Sequence, residues 1–336
     1  MIASPVILDV NKLTIEPLEK RTVFVSPEFM IEDNFPSLTQ KDKNGRAIST
    51  FKVETASPLT YLFSSPHGFV LFYSANEILT IPRNGEIRQV RPAPVCVLPC
   101  GVVWVDPGSV IALGEVLPGK RCLLKYSIAH QSIERQTAWL SSGNNKASEM
   151  DLVSVCDSSV CFRDQASISA FSSTTLETKW KRSERSPTHS GVLSVSSTTI
   201  YSHLDFIVGH DGSDITKVEV PSCGLSELLC CTGDKILFRA REKNRIGCFS
   251  WSANTLIWTL PLKHIPRTVI PVSSSSSVEE ADFLLVLYGQ NLILVSVAEG
   301  TIVSSVLDPS IAAIQQADRS FLIHRTDGST CVLRGE

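Results

Sequence analysis

Short apolar runs rich in Val, Ile, Leu, Phe, Thr and Ser recur along the whole chain, and clusters of Gly, Pro, Asn and Asp separate them. Runs of this length and composition are typical of β-strands joined by tight turns. No stretch repeats apolar residues at positions i, i+3, i+4 and i+7 over three turns, which is the pattern of an amphipathic helix. The sequence therefore predicts an all-β protein.

The strand-like runs gather into seven groups, most of them of four strands. Seven groups in 336 residues give a period of about 48 residues, which matches the ~40–50 residues of one four-stranded propeller blade. A pair of β-sandwiches would also contain many short strands, but would not keep so regular a period. We therefore predict a single β-propeller domain over residues 1–336 with about seven antiparallel blades, six or eight remaining open. The groups lie at residues 58–90, 95–140, 152–180, 191–220, 227–260, 268–306 and 311–333.

An internal sequence repeat is clearest around the third and fourth strands of a group. The segments Ile168–Trp180 and Ile246–Trp258 both contain an apolar strand, a polar turn, a Thr-Leu pair and, shortly after it, a Trp. The segment Leu292–Val303 keeps the same skeleton without the Trp. The pattern predicts a hairpin whose last strand carries a large side chain between neighbouring sheets.

This skeleton resembles divergent WD-repeat and quinoprotein-like propellers, and the resemblance covers nearly the whole chain. It departs from the WD pattern because no Trp-Asp dipeptide closes a third strand, and because the single Gly209-His210 pair ends a strand instead of opening a blade. The resemblance implies a rigid protein whose loop-lined faces bind other proteins within a larger assembly.

The last group contains only three strands. An N-terminal strand, either Val6–Val10 or Thr22–Val25, is expected to supply the fourth one and so close the propeller, which would remove two exposed sheet edges. Three segments do not read as blades. They are a polar insertion at residues 26–50, a loop at residues 141–149, and a flexible Ser-rich loop at residues 273–281.

The charge balance narrows the classes of partner and the compartment. A net charge of -3 argues against a dedicated nucleic-acid binder and offers little attraction to an anionic membrane. The apolar runs are far shorter than the ~20 residues of a membrane-spanning helix. The N-terminus lacks the basic region and unbroken apolar stretch of a secretory signal. We therefore expect a protein of the cytoplasm or nucleus with no membrane insertion.

The ten cysteines fit that compartment, because most lie inside apolar runs where a reduced thiol behaves as a small buried hydrophobe. The two-residue gap of a structural zinc site is absent from the close pairs Cys96 with Cys100 and Cys156 with Cys161, and from the adjacent Cys230 and Cys231. We predict core thiols and neither a metal nor a cofactor. The cysteines are residues 96, 100, 122, 156, 161, 223, 230, 231, 248 and 331.

Candidate catalytic groups are sparse. The chain has no Gly-x-Ser-x-Gly elbow and no phosphate-binding loop in which Gly-x-x-x-x-Gly-Lys is followed by Ser or Thr. The densest mixture of His and carboxylate residues is His203, Asp205, His210, Asp211 and Asp214. We interpret this segment as a polar hairpin loop in which Asp and Gly serve the turn geometry. The alternative interpretation is a metal or acid–base site. No catalytic residue is predicted.

Clusters of basic residues are more distinctive in this sequence than the candidate catalytic residues. Four cations and a Trp fall within the seven residues Lys179–Arg185. Trp and Arg are enriched at binding hot spots, so Lys179, Lys181, Arg182 and Arg185 are the predicted partner-binding residues. An ordinary solvated loop is the competing interpretation, and the basic hairpin tip Arg239–Arg245 is a second candidate.

These observations favour a non-enzymatic protein–protein interaction scaffold, a subunit of a larger intracellular complex whose partners are other protein subunits. The alternative is an enzyme or small-ligand binder that uses the central channel of the propeller. The innermost strands, such as Val95–Leu98 and Leu152–Cys156, are mostly apolar, which disfavours that alternative.

Overall fold

The chain is seen in a computed structural model whose described residues form 33 strands. None of these residues is helical, so none of them belongs to a helix that could cross a membrane. The prediction of an all-β chain is confirmed. The structure describes residues 6–7, 14–18, 22–25, 29–34, 37–42, 44–52, 59–65, 68–73, 77–82, 88–90, 96–106, 109–117, 120–127, 130, 132–137, 140, 151–155, 159–163, 167–183, 192–195, 198–203, 206–211, 213–220, 224–242, 244–273, 281–317, 320–327 and 329–334.

Contacts divide the chain into two units, one of residues 57–218 and one of residues 2–56 and 219–336. The first unit holds four antiparallel sheets whose strands follow chain order. Sheet 2 is β7 (Leu59–Ser65), β8 (Gly68–Tyr73), β9 (Glu77–Pro82) and β10 (Arg88–Val90); sheet 3 is β11 (Cys96–Asp106), β12 (Ser109–Leu117), β13 (Lys120–Ser127) and β14 (Ser132–Gln136); sheet 4 is β15 (Asp151–Val155), β16 (Ser159–Arg163), β17 (Ser167–Ser172) and β18 (Thr178–Ser183); sheet 5 is β19 (Val192–Val195), β20 (Thr198–His203), β21 (Phe206–His210) and β22 (Ile215–Glu219).

The second unit also holds four sheets, and two of them recruit a strand from the N-terminal segment. Sheet 1 is β3 (Thr22–Val25), β4 (Phe29–Asn34), β5 (Ser37–Asp42) and β6 (Ala47–Lys52); sheet 6 is β23 (Leu225–Thr232), β24 (Lys235–Ala240), β25 (Arg245–Ser250) and β26 (Thr255–Pro261); sheet 7 is β27 (Pro266–Ser273), β28 (Phe283–Tyr288), β29 (Asn291–Ser296) and β30 (Ile302–Leu307), with β1 (Val6–Ile7) parallel to β27; sheet 8 is β31 (Ile311–Ala317), β32 (Ser320–Arg325) and β33 (Thr330–Arg334), with β2 (Thr14–Leu18).

Within the first unit, the sheets pack face to face. The first strands of sheets 3, 4 and 5 lie next to one another, so the last strand of each sheet is its outer strand. Sheet 4 buries both faces: Phe162 packs against sheet 3, and its neighbour Cys161 packs against sheet 5. Successive side chains of a strand point to opposite faces, which explains why the middle strands read as continuous apolar runs.

The second unit is built in the same way. In β28, Leu284 and Val286 pack toward sheet 6, whereas Leu285 and Leu287 pack toward sheet 8. All four side chains are at most 1% exposed. A strand buried on both faces needs apolar residues at every position, and Phe283–Tyr288 supplies them.

Residues 26–50 were predicted to be a polar insertion, but the structure shows strands of sheet 1 there, at residues 29–34, 37–42 and 47–52. Ile31 and Leu38 are buried on one face. The charged Glu32 is buried as well, and its Oε1 lies 2.6 Å from Lys41 Nζ. This pairing lets a polar sequence form a packed sheet. The described residues therefore form eight sheets, one more than the seven predicted groups.

The N-terminal segment does complete the last sheet, but through a strand that the sequence did not single out. Thr14–Leu18 pairs antiparallel with β33. Of the two expected strands, Val6–Ile7 pairs with β27 and Thr22–Val25 opens sheet 1. Pro17 lies within the Thr14–Leu18 strand, and a proline is tolerated on an edge strand such as this one. Closure of the whole propeller stays a prediction.

Two predicted loops fall almost entirely beyond the described part of the chain. Residues 141–149 lie outside it, and so do residues 274–280 of the Ser-rich stretch. Ser273, which ends β27, is fully buried, and Ala281 is buried as well. Strands β9 and β10 pair antiparallel, and the Asn84-Gly85 dipeptide between them in the sequence is typical of a hairpin turn, although these two residues lie outside the described residues.

Candidate partner-binding surface

The predicted cationic residues lie on β18, the outer strand of sheet 4. Lys179 and Lys181 are exposed, Arg182 is half-buried, and Arg185 lies outside the described residues. Across the strand pair, Arg182 is opposite Ile168 and Lys181 is opposite Ser169. Directly opposed residues share a face of the sheet. Arg182 therefore lies on the face that packs against sheet 5, and Lys181 lies on the other face.

Lys179 owes its position to an irregularity in the same strand. The register between β17 and β18 shifts between Ala170 and Phe171, so that Lys179 has no opposite residue. Its Nζ donates a hydrogen bond to Ser159 Oγ at 2.6 Å. Of the predicted cations that the structure describes, Lys181 and Arg182 thus lie on opposite faces of the outer strand, and Lys179 lies at its register shift.

Trp180 packs between sheets 4 and 5, as the sequence repeat that it shares with Trp258 predicted. Its ring stacks on His210 at the end of β21, with 4.1 Å between the ring centroids and 12° between the planes. His210 is 8% exposed. The tryptophan is therefore a structural contact between sheets 4 and 5.

The His-rich segment around His210 carries a turn. Asp211 Oδ1 accepts hydrogen bonds from the Ser213 N–H at 2.9 Å, the Ser213 hydroxyl at 3.0 Å and the Asp214 N–H at 2.8 Å. These bonds, led by the one from the Ser213 N–H, lower the pKa of Asp211. Turn geometry accounts for Asp211. The side chains of His203 and Asp205 lie outside the described residues, and the described part of the chain holds no group of three or more metal-ligating side chains.

The second basic segment, Arg239–Arg245, is held by ion pairs. Arg239 contacts Glu227 at 2.7 Å and donates to the Pro266 carbonyl at 2.8 Å. Arg245 contacts Glu242 at 3.2 Å. The first of these arginines links its sheet to the start of β27, so this hairpin tip is part of the packing of the second unit.

The buried cysteines behave as core residues. Cys122, Cys161, Cys248 and Cys331 are buried free thiols. Burial raises the pKa of Cys122 and of Cys161 to about 11, and that of Cys248 to about 12. Thiols with such pKa values stay protonated near neutrality, and a protonated thiol is a poor nucleophile and metal ligand.

A feature that sequence reasoning missed is a group of exposed aliphatic side chains on neighbouring outer strands of the second unit. Leu307 is 71% exposed, Val303 48% and Ile302 46%, all on β30 of sheet 7. Ile257, on β26 of sheet 6, is 39% exposed. We call these four residues the apolar rim. The sequence feature that could have predicted the apolar rim is the uncharged stretch Thr301–Leu307.

Trp258 fixes the two outer strands of the apolar rim to one another. Its Nε1–H donates to the Val297 carbonyl of sheet 7 at 2.8 Å. A Cβ added to Gly300 would lie 2.5 Å from the Trp258 ring, so the indole covers the turn that precedes β30. The two outer strands that carry the apolar rim are therefore packed together.

Comparison with known proteins finds solved structures of similar architecture but no match in sequence. No protein-family model and no curated protein matches the chain in sequence. BamB from Moraxella catarrhalis is similar in structure, with a TM-score of 0.65 at 12% identity over 96% of this chain and 99% of that one. The C-terminal WD40 domain of Sif2 gives a TM-score of 0.66 at 10% identity over 96% and 99%. Apo AztD from Citrobacter koseri gives 0.58 at 12% identity over 92% and 94%.

This chain has the β-propeller fold. The resemblance to WD-repeat-like propellers is confirmed at the level of the fold, with four-stranded antiparallel sheets as its units. Identities of 10–12% show the fold alone. What the propeller does must therefore be argued from its own surface.

Proposed function

We propose that this propeller is a non-enzymatic interaction scaffold of the cytoplasm or nucleus, a subunit that holds other proteins of a larger assembly. The observation that carries the proposal is the outer strand β18. It exposes Lys179 and Lys181 and contains no acidic residue between Thr178 and Ser183. The strand itself is fixed to the fold because Trp180 stacks on His210.

The partner surface that matches this strand is acidic. Exposed cations on a rigid strand attract a partner of opposite charge, which raises the association rate and fixes the orientation more than it raises affinity. Such an attraction weakens as salt is added, because the Debye length falls to ~8 Å at physiological ionic strength. Arg182 and Arg185 remain proposed partner-binding residues, with Arg182 contributing from the face turned toward sheet 5.

Charge reversal tests the proposal. Lys179→Glu with Lys181→Glu is expected to keep the fold, because exposed substitutions usually change stability by no more than ~0.5 kcal/mol. Recovery of co-purifying proteins with the tagged chain should fall at least ~tenfold, equivalent to ~1.4 kcal/mol, and added salt should reduce recovery with the wild type. Arg182 is left unchanged because it is half-buried.

The matched control is Lys217→Glu. Lys217 is an exposed cation on β22, the outer strand of sheet 5. Its reversal changes net charge in the same sense without touching β18. Equal recovery with the Lys179/Lys181 variant and the wild type would show that β18 is only a solvated strand and that the proposed surface is wrong.

A further inference from the structure

Leu176, in the turn between β17 and β18, has a backbone conformation that leucine rarely adopts. Its φ is +59°, in the left-handed region where a bulky side chain is strained. Two hydrogen bonds close the turn: the Leu176 N–H donates to the Ser172 carbonyl at 2.8 Å, and the Ser172 N–H donates to the Glu177 carbonyl at 2.9 Å. Such residues persist only where the surrounding structure imposes their conformation, and they cluster at functional positions.

The same turn recurs in sheets 6 and 7 with residues that suit it. Each turn starts at a serine that ends β17, β25 or β29, and the serine Oγ accepts a hydrogen bond from the N–H three residues later. The next residue is the left-handed one, which is Asn254 with a φ of +54° in sheet 6 and Gly300 with a φ of +69° in sheet 7. Asn and Gly are the residues that tolerate this region. Leu176 is therefore the exception in a repeated turn. The three serines are Ser172, Ser250 and Ser296.

Packing against the preceding sheet accounts for the leucine. Leu176 is 5% exposed and belongs to an apolar cluster that includes Ile111 and Leu113 of sheet 3. In sheet 7, by contrast, the indole of Trp258 from the preceding sheet covers the left-handed Gly300. Burying a leucine side chain is favourable, and this gain offsets the strain of the backbone. The turn therefore depends on the contact of Leu176 with sheet 3, whereas the turns at Asn254 and Gly300 need no such contact to relieve strain.

The turn leads directly into the cationic strand β18. Thr178 is opposite Phe171, and the register then shifts at Lys179, three residues after Leu176. The Lys179 Nζ donates a hydrogen bond to Ser159 Oγ at 2.6 Å. A different conformation at Leu176 would change the direction in which β18 begins, and with it the position of Lys179 relative to Ser159.

We propose that Leu176 is a positioning residue for Lys179, because its burial against sheet 3 holds the turn in the left-handed conformation from which β18 starts. The consequence for partner binding rests on the proposed function, whereas the position of Lys179 can be measured without a partner. Backbone tolerance and burial then lead to opposite expectations. Leu176→Gly loses the buried side chain but tolerates the conformation, so Lys179 should stay in place. Leu176→Val keeps an apolar side chain, but its branched Cβ is poorly tolerated at positive φ, so Lys179 should be displaced.

Limited acylation of lysine amines in the purified full chain, followed by peptide mass spectrometry, tests the position of Lys179. The rate at Lys179 is divided by the rate at Lys217, the exposed cation of β22. Ser159→Ala removes the acceptor and should raise this ratio by ~threefold, as expected for the loss of one hydrogen bond. Leu176→Val should raise it to a similar extent, and Leu176→Gly should leave it near the wild-type value. If Leu176→Gly does not fold, Leu176→Asn takes its place, because asparagine occupies the same turn position in sheet 6.

Partner recovery with the same variants separates this inference from the proposed function. Leu176→Val should lower the recovery of co-purifying proteins by ~threefold, and Leu176→Gly should not. Full recovery with Lys179→Glu and Lys181→Glu together would contradict the proposed function, and the acylation ratios would still decide the role of Leu176. An unchanged ratio in Ser159→Ala or in Leu176→Val overturns the inference. So does a larger rise in Leu176→Gly than in Leu176→Val, because the leucine would then act through its burial alone.

Discussion

The ring of Trp180 lies parallel to the ring of His210, 4.1 Å away between centroids. Trp258 takes the corresponding place in sheet 6. Trp180 is opposite Ala170 and Trp258 is opposite Cys248, each beside a register shift. Trp258 packs on the turn before β30 instead of on a histidine. Each tryptophan thus fastens the outer strand of one sheet to the next sheet along the chain, within its own unit.

Removing the indole of Trp258 should loosen the contact between sheets 6 and 7. Truncating a fully buried Trp costs ~3–5 kcal/mol, and Trp258 is half-buried, so Trp258→Ala is expected to approach the lower end of that range. It also leaves the Val297 carbonyl without the Trp258 donor. Urea denaturation gives the free energy of unfolding. The neighbouring Ile257→Ala, at an exposed position, should cost far less, and equal losses for the two variants would rule out this role for the tryptophan.

A second prediction separates backbone strain from steric conflict at Gly300. Gly300 has a φ of +69°, and an added Cβ would lie 2.5 Å from the Trp258 ring. Gly45 has a φ of +80°, with nothing within 4 Å of its added Cβ. Gly→Ala at positive φ destabilises by more than ~0.4–1 kcal/mol, so Gly45→Ala measures the strain alone.

Gly300→Ala should therefore cost more than Gly45→Ala, and the excess should disappear when Trp258→Ala is also present. The double-mutant cycle for Gly300 and Trp258 measures this coupling, which lies at ~0.5–3 kcal/mol for residues in contact. Additive losses in the cycle would mean that the indole can move aside at no cost.

The buried thiols predict a pH dependence. Burial raises the pKa of Cys122, Cys161 and Cys248 above the ordinary value of 9.0. The unfolded thiols ionise first as the pH rises, so the folded state loses relative stability above about pH 9 and keeps it below. Unfolding free energies at pH 7 and pH 10 should differ in that direction. Replacing Cys248 by Ala should reduce the difference, although the variant itself is less stable.

Thiol titration checks the same residues near neutrality. We expect few reactive thiols in the native protein at pH 7.5 and all ten in denaturant, because protonated buried thiols react slowly. We also expect no stoichiometric zinc and no disulfide. About one zinc per chain by metal analysis, or a titration short of ten under denaturing conditions, would show that some cysteines outside the described residues serve another purpose.

The sequence predicts strands well where one pattern dominates. Within the predicted group 227–260, the apolar run Lys235–Ala240 forms a strand, because its apolar residues are buried on both faces. Sheet 1 was missed because its buried Glu32 and Gln40 look like solvent-facing residues until Lys41 and Ser49 are placed beside them. Likewise, the four cations of Lys179–Arg185 were visible as a cluster. Lys181 and Arg182 lie on opposite faces because successive residues of a strand alternate, whereas the position of Lys179 follows from the register shift between Ala170 and Phe171, which no local pattern encodes.

The last prediction concerns the strand that completes sheet 8. Because Thr14–Leu18 covers β33, deleting residues 1–18 should expose the apolar strand Thr330–Arg334 as an edge, and such an edge favours aggregation. Deleting residues 1–13 removes β1 and spares β2, so it serves as the control and should unfold more cooperatively. A synthetic peptide of residues 11–20 added in excess should restore solubility to the longer deletion by refilling the edge. If the chain without residues 1–18 stays monomeric and unfolds as sharply as the full chain, then β2 does not stabilise the fold.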